Sequence, residues 1–175
     1  MGRITLITGG ARSGKSAHAI ELASARSGAR RVFIATAEAL DDEMAARIAH
    51  HKRSRPPEFR TVDEPVNVAS AIEALDNTAD IVLLDCLTLW VSNLMRVYAP
   101  GNANAFLHDA DNLVSGLKRA SFASIVVTDE VGSGIVPDNP DARRFRDYLG
   151  WVNQKVAAAA DEVILMVAGV PLKVQ

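Results

Sequence analysis

One cysteine, Cys86, is too few for an intrachain disulfide or a cysteine-rich zinc site. A reducing, intracellular compartment fits that usage. Aromatic residues make up only 5% of the chain, and Lys+Arg 19 against Asp+Glu 21 leave a net charge of -2. That balance offers neither a stacking platform nor a basic field, so nucleic-acid and membrane-surface binding are not expected. No apolar run approaches the ~18 residues of a membrane span. The opening Met1-Gly2-Arg3-Ile4-Thr5-Leu6 holds too short an apolar stretch for a secretory signal. Leu6 stands where a myristoylation signal needs Ser or Thr. A cytoplasmic protein is the expectation.

What is present is ordinary material for a packed domain. The 175 residues are 49% hydrophobic and 23% charged. At about 150 residues per domain this predicts one unit over 1–175, burying roughly 70% of its unfolded surface. Short β-branched runs alternate with helical patterns. Strands are expected at 4–8, 31–35, 81–84, 125–127 and 163–167, all apolar on both faces. Helices are expected at 15–26, 41–52, near 65–75, at 87–97, from about 104 to 119, and up to about 160. Leu40, Met44 and Ile48 recur at i, i+4, i+8 and line one helix face. Residues 53–60 hold Pro56 and Pro57 and are expected to be irregular. This alternation implies a three-layer α/β domain with a mostly parallel central sheet flanked by helices. Trp90 and Trp151 are expected in the core, as large aromatics usually pack.

Gly9-Gly10-Ala11-Arg12-Ser13-Gly14-Lys15-Ser16 matches G-x-x-x-x-G-K-[ST]. Its glycines let successive N–H groups curl inward onto phosphate oxygens, and the following helix adds its positive end. Lys15 reaches the β- and γ-phosphates, and the Ser16 hydroxyl can ligate Mg²⁺. The preceding strand and following helix supply the context that the motif requires, so the fold is P-loop NTPase-like and the ligand a nucleoside triphosphate. Asp85, at the tip of strand 81–84, is the favoured second metal-binding carboxylate, although locally it also reads as a helix cap. Asp129-Glu130 is the other candidate. No Asn-Lys-x-Asp element identifies the base.

His50 and His51 close the 41–52 helix. His50 sits about 200° round from Ile48 at ~100° per residue, away from the apolar stripe. It reads as a solvated surface residue, as a cation at a helix C-terminus, or as a nucleophile that attacks phosphorus and holds a nucleotidyl group. Adjacent histidines diverge, so a metal site is poor. Lys52, Arg53, Arg55 and Arg60 follow, as a solvated basic loop or as a clamp on a triphosphate.

Together, Thr8–Ser16, Ile34-Ala35-Thr36 and Asp41–Lys52 resemble the bifunctional adenosylcobinamide kinase/adenosylcobinamide-phosphate guanylyltransferase family of cobalamin biosynthesis. Leu84–Leu94, Glu130–Pro137, Phe145-Arg146-Asp147 and Val152-Asn153-Gln154 are similar to its later blocks. The resemblance implies two reactions in one domain. ATP or GTP phosphorylates adenosylcobinamide, and GMP then passes from GTP onto that phosphate. It implies His50 as the guanylylated residue; Lys15, which reaches the phosphates from the loop, is the other catalytic candidate. Nucleotide contacts carry over to Gly9, Gly10, Ala11, Arg12, Ser13, Gly14, Lys15 and Ser16, to Ala35, Thr36 and Ala37, to His51, Lys52, Arg53 and Ser54, and to Asp63 and Asp85. It also implies Mg²⁺ on Ser16 and Asp85, and a homotrimer with sites between subunits. Asp63 and Asp85 stand where relatives often carry Glu, and Asp129 where Asn is common. A kinase-only or transferase-only enzyme, or a nucleotide-dependent switch indifferent to His50, are the alternatives.

Overall fold

Leu6 and Ile7, or Leu83 and Leu84, are neighbours in sequence that a strand must send to opposite faces. Both faces are therefore apolar, and both are covered by helices. The structure, a computed structural model, describes residues 2–99 and 102–175, with the side chains of Arg47 and Ser54 left outside the description. The elements run β1 (Ile4–Gly9), α1 (Lys15–Ala25), β2 (Arg31–Ala35), α2 (Asp42–Ser54), β3 (Phe59–Asp63), α3 (Val68–Ala74), β4 (Ile81–Asp85) and α4 (Leu87–Val97). They continue with α5 (Ala103–Arg119), β5 (Ala123–Val127), α6 (Pro140–Ala159), β6 (Glu162–Val167) and β7 (Val170–Lys173). The sheet order is β3-β2-β4-β5-β1-β6-β7, parallel throughout except for β7.

Two apolar layers sandwich the sheet. Leu6, Ile34, Val82, Leu84 and Val126 pack against α3, α4, α5 and α6, with Trp90, Phe106 and Leu113 at the centre. Ile7, Phe33, Leu83 and Ile125 face α1, which meets them through the small residues Ala19 and Ala23. The three-layer expectation holds, but the sheet has seven strands rather than five.

Both added strands are edge strands. The irregular stretch expected at 53–60 overlaps β3 at Phe59 and Arg60. Pro56 and Pro57 instead stop α2 just before Phe59 starts a parallel ladder with β2, at Arg31↔Phe59 and Ala35↔Asp63. α2 also runs two residues beyond its expected end. β7 folds back from β6 through Ala168 and Gly169, both at positive φ (51° and 85°). That is the twist of a two-residue hairpin turn. Pro171 is tolerated in β7 because the strand is at an edge. This turn backs the phosphate loop, with the Gly169 N–H donating to Ser13 O at 3.0 Å.

The stripe Leu40, Met44, Ile48 does not enter the core. Leu40 precedes the helix and is exposed, while Met44 and Ile48 line a cavity at the carboxyl ends of the strands. Trp90 is buried, its Nε1–H donating to Val66 O at 2.8 Å. Trp151 departs from expectation: it is 42% exposed and leans on Tyr148 at 5.4 Å, which in turn stacks on Phe106. Position on the outer side of α6, not ring size, decides its exposure.

At the opposite end of the sheet, Asp80 clamps the α1–β2 connection. Its carboxylate accepts from Ala29 N–H (3.0 Å), Arg30 N–H (2.9 Å) and the Arg30 guanidinium (2.5 Å). Gly28, at φ 133°, lets the chain pass, since a Cβ there would lie 2.7 Å from Asp80 Cβ. The Arg30 guanidinium, then the Arg30 N–H, hold the Asp80 carboxyl well below its ordinary 3.8. A lowered folded value means the contribution exists above about 3.8 and fades as pH falls below it. Asp80→Asn should therefore melt below wild type at neutral pH, and the gap should close in melts taken from pH 4 downward.

Candidate active site

β1 delivers the chain into the phosphate loop at Gly9, where φ is 150° and a Cβ would lie 2.5 Å from Met166 O. Gly14 takes the left-handed conformation (φ 95°) that caps α1 without a side chain. The loop closes on its own lysine. Lys15 Nζ donates to Gly10 O at 2.7 Å and pairs with Asp129 Oδ1 at 2.6 Å. Asp129 reaches it because β5 lies beside β1. A network fixes Asp129: its N–H donates to Thr88 Oγ1, and its carbonyl accepts from Asn153, which also accepts from Thr128.

Asp85, on β4 one strand further out, hydrogen-bonds Ser16. Burial pushes its carboxyl up, against the opposing pull of Ser16, His51 and Arg55. A desolvated carboxylate beside a hydroxyl is a pair of hard oxygen donors short of positive charge. Among the described residues no group of three or more His, Cys, Asp or Glu could hold a metal alone. That donor set fits Mg²⁺, which usually takes one or two carboxylates and fills its shell with phosphate and water. Next to Asp85, burial pushes the Cys86 thiol up to about 12, making it an inert wall.

A cavity of about 260 Å³ gathers Ala11, Arg12, Lys15, Ser16, Ala35, Ala37, His51, Arg55, Asp63, Asp85 and Asp129. A neighbouring one of about 370 Å³ is lined by Ser16, Ala17, Phe33, His50, His51, Arg55 and Asp85. Nucleophile candidate and phosphate loop thus share walls, since His51, Ser16 and Asp85 border both. His50 is exposed, as its helix face required. Gly9, Gly10, Ser13 and Gly14 shape the loop without lining either cavity.

Other expected contacts are placed differently. Thr36 is fully buried and turned from the cavity; its hydroxyl donates to Cys86 O at 2.7 Å and accepts from Cys86 N–H at 2.9 Å. It ties the tips of β2 and β4. Lys52 leans across to Asp63 at 2.9 Å. Arg53 is exposed and on neither cavity wall, and the Ser54 side chain lies outside the described residues. Of the basic loop, Arg55 is the member that enters both cavities, stacked 3.8 Å over Phe33. The contacts implied by the resemblance, His51 to Ser54, stop one residue short of it. The signal was Pro56, which ends the helix at Arg55 and turns it off the helical path.

Loop, sheet order and carboxylates define a P-loop nucleotide-binding α/β protein. An ATPase from the type III secretion system of pathogenic bacteria shares this fold: TM-score 0.61, 15% identity, over 94% of this chain and 51% of that one. Within that class, the chain belongs to the cobinamide kinase / cobinamide phosphate guanyltransferase family, which it matches over residues 5–174. It is 42% identical to the bifunctional adenosylcobalamin biosynthesis protein CobU of Escherichia coli strain K12, over 97% of this chain and 98% of that protein. It is 43% identical to the protein of the same name from Salmonella typhimurium strain LT2, with the same coverage.

Two substitutions separate scaffold from chemistry. Thr36→Val should cost about 1–3 kcal/mol by leaving the Cys86 N–H without its acceptor, as read by urea unfolding. Asp85→Asn relieves a buried charge while keeping an acceptor for Ser16. It should melt above wild type in the absence of nucleotide, yet lose ~10²–10³-fold in Mg²⁺-dependent turnover.

Proposed function

We propose that this chain performs both reactions of its family within one cytoplasmic domain that works as a homotrimer. In the first, the aminopropanol hydroxyl of adenosylcobinamide attacks the γ-phosphorus of ATP or GTP and gives up its proton to solvent. The bridging bond breaks, the nucleoside diphosphate leaves, and adenosylcobinamide phosphate is formed. Lys15 neutralises the oxygens of the β- and γ-phosphates, and Asp129 must release it as they bind. Ser16 and Asp85 would hold Mg²⁺, which supplies charge neutralisation on the phosphate chain when bound.

In the second reaction, a ring nitrogen of His50 uses its lone pair to attack the α-phosphorus of GTP. The bond to the β-phosphate oxygen breaks and pyrophosphate leaves. An oxygen of adenosylcobinamide phosphate then attacks the same phosphorus, the N–P bond breaks, and adenosylcobinamide-GDP departs with His50 restored. The nitrogen–phosphorus link stays high in energy, so the GMP remains transferable.

The observation that carries this reading is the cavity bordered by both His50 and Ser16. A nucleotide switch has no use for a histidine there. The test is labelling with GTP carrying radioactive α-phosphate and Mg²⁺, without acceptor. Wild type should take up acid-labile, base-stable label, and His50→Asn none. An unlabelled wild type would end the covalent route.

A further inference from the structure

A triphosphate on a P-loop has a direction. The loop lysine serves the β- and γ-phosphates, while the backbone amides of the loop and first helical turn cradle the α and β groups. Lys15, Asp129 and Arg12 therefore mark the γ end. The second cavity has none of these three. It continues past Ser16 to Ala17 and holds His50, which puts it at the α end.

Among the described residues, the arginine that stands between the two ends is Arg55, which borders both cavities together with His51, and no carboxylate is ion-paired with it. Its guanidinium lies flat on Phe33 at 3.8 Å, and Nη1 donates to Thr61 Oγ1 at 3.1 Å. Its Nε is buried with no hydrogen-bond partner. Asp63 and Asp85 attract it from a distance, without an ion pair to either among the described residues. By contrast Lys52 is engaged by Asp63, and Arg30 by Asp80. A half-buried guanidinium that is oriented by stacking, yet lacks a carboxylate of its own, presents a planar fork of donors to the oxygens of a phosphate that arrives later.

Building on the proposed function, we propose that Arg55 is a catalytic residue of guanylyl transfer, binding the α-phosphate oxygens and the departing pyrophosphate, and that it contributes far less to γ-phosphoryl transfer. As the His50 nitrogen closes on the α-phosphorus, negative charge gathers on the non-bridging oxygens and on the oxygen shared with the β-phosphate. Arg55 meets that charge with N–H donors and keeps its own protons throughout. The bond pair of the broken linkage leaves with pyrophosphate.

The experiment measures two rates on each full-length variant. One is GMP transfer from GTP to adenosylcobinamide phosphate; the other is phosphoryl transfer from ATP to adenosylcobinamide. Arg55→Gln should lose ~100-fold or more in kcat of the first, as expected for removing a transition-state donor, while the kcat of the second falls at least about tenfold less. Arg55→Lys should recover part of the loss, and added guanidinium ion should partly rescue Arg55→Ala. Equal loss of both activities would reduce Arg55 to a structural or general nucleotide-binding role. An undiminished GMP transfer would remove it from the chemistry altogether. Because acceptor-dependent transfer is followed rather than His50 labelling, an unlabelled His50 would end the covalent route while the Arg55 rates still decide this proposal.

Discussion

Lys15 carries a full charge at 8% exposure, and the site is organised around keeping that charge company. An ammonium taken out of water is tolerable only with a partner and good hydrogen bonds. The partner comes from strand order. With β5 inserted between β1 and β4, the residue just past the tip of β5 falls beside the loop, and Asp129 meets Nζ at 2.6 Å. Asp85 is thereby left to Ser16 one strand further out. Had β4 neighboured β1 directly, the two carboxylates would compete for one lysine. Phosphate oxygens thus enter a site whose cation is already desolvated and aimed.

The phosphate loop was legible because everything it needs is local: eight residues, a strand before and a helix after. The parallel strands were legible because burial on both faces writes a continuous apolar run. β3 and β7 escaped for the complementary reason. An edge strand is half solvated, so Phe59-Arg60-Thr61-Val62-Asp63 shows no run, and β7 is exposed along its whole length. The β6–β7 turn places Ala168 at positive φ, where sequence habits favour Gly or Asn. Composition gives no warning of that.

The α2 stripe makes a subtler point. Met44 and Ile48 have the spacing of core residues, and the helix Asp42–Ser54 is real, with Asp41 capping it through Met44 N–H at 2.7 Å. Periodicity reports that one face avoids water but not what it faces. Here it faces the cavity, so a stripe that reads as packing is part of the wall against which a ligand would sit. The same ambiguity hid Arg55 among four cations. All four side chains are cationic and three are arginines, and the backbone turn at Pro56 and the ring of Phe33 on a neighbouring strand set Arg55 apart.

A triphosphate held once presents electrophilic phosphorus at both its α and its γ position. On the proposed reading, one scaffold then serves two reactions without rebinding geometry, because each end has its own chemistry. The γ end is built from the phosphate loop and the strand tips that carry Asp63, Asp85 and Asp129. The α end draws on the end of α2, on Arg55 just after it, and on Ser16 and Ala17 at the start of α1. Precision in γ-transfer needs only a well-held nucleotide and an incoming hydroxyl. Transfer at the α-phosphorus by the proposed covalent route needs a nucleophile carried by the protein as well, and His50 stands at the exposed end of α2, on the wall of a cavity it shares with Ser16.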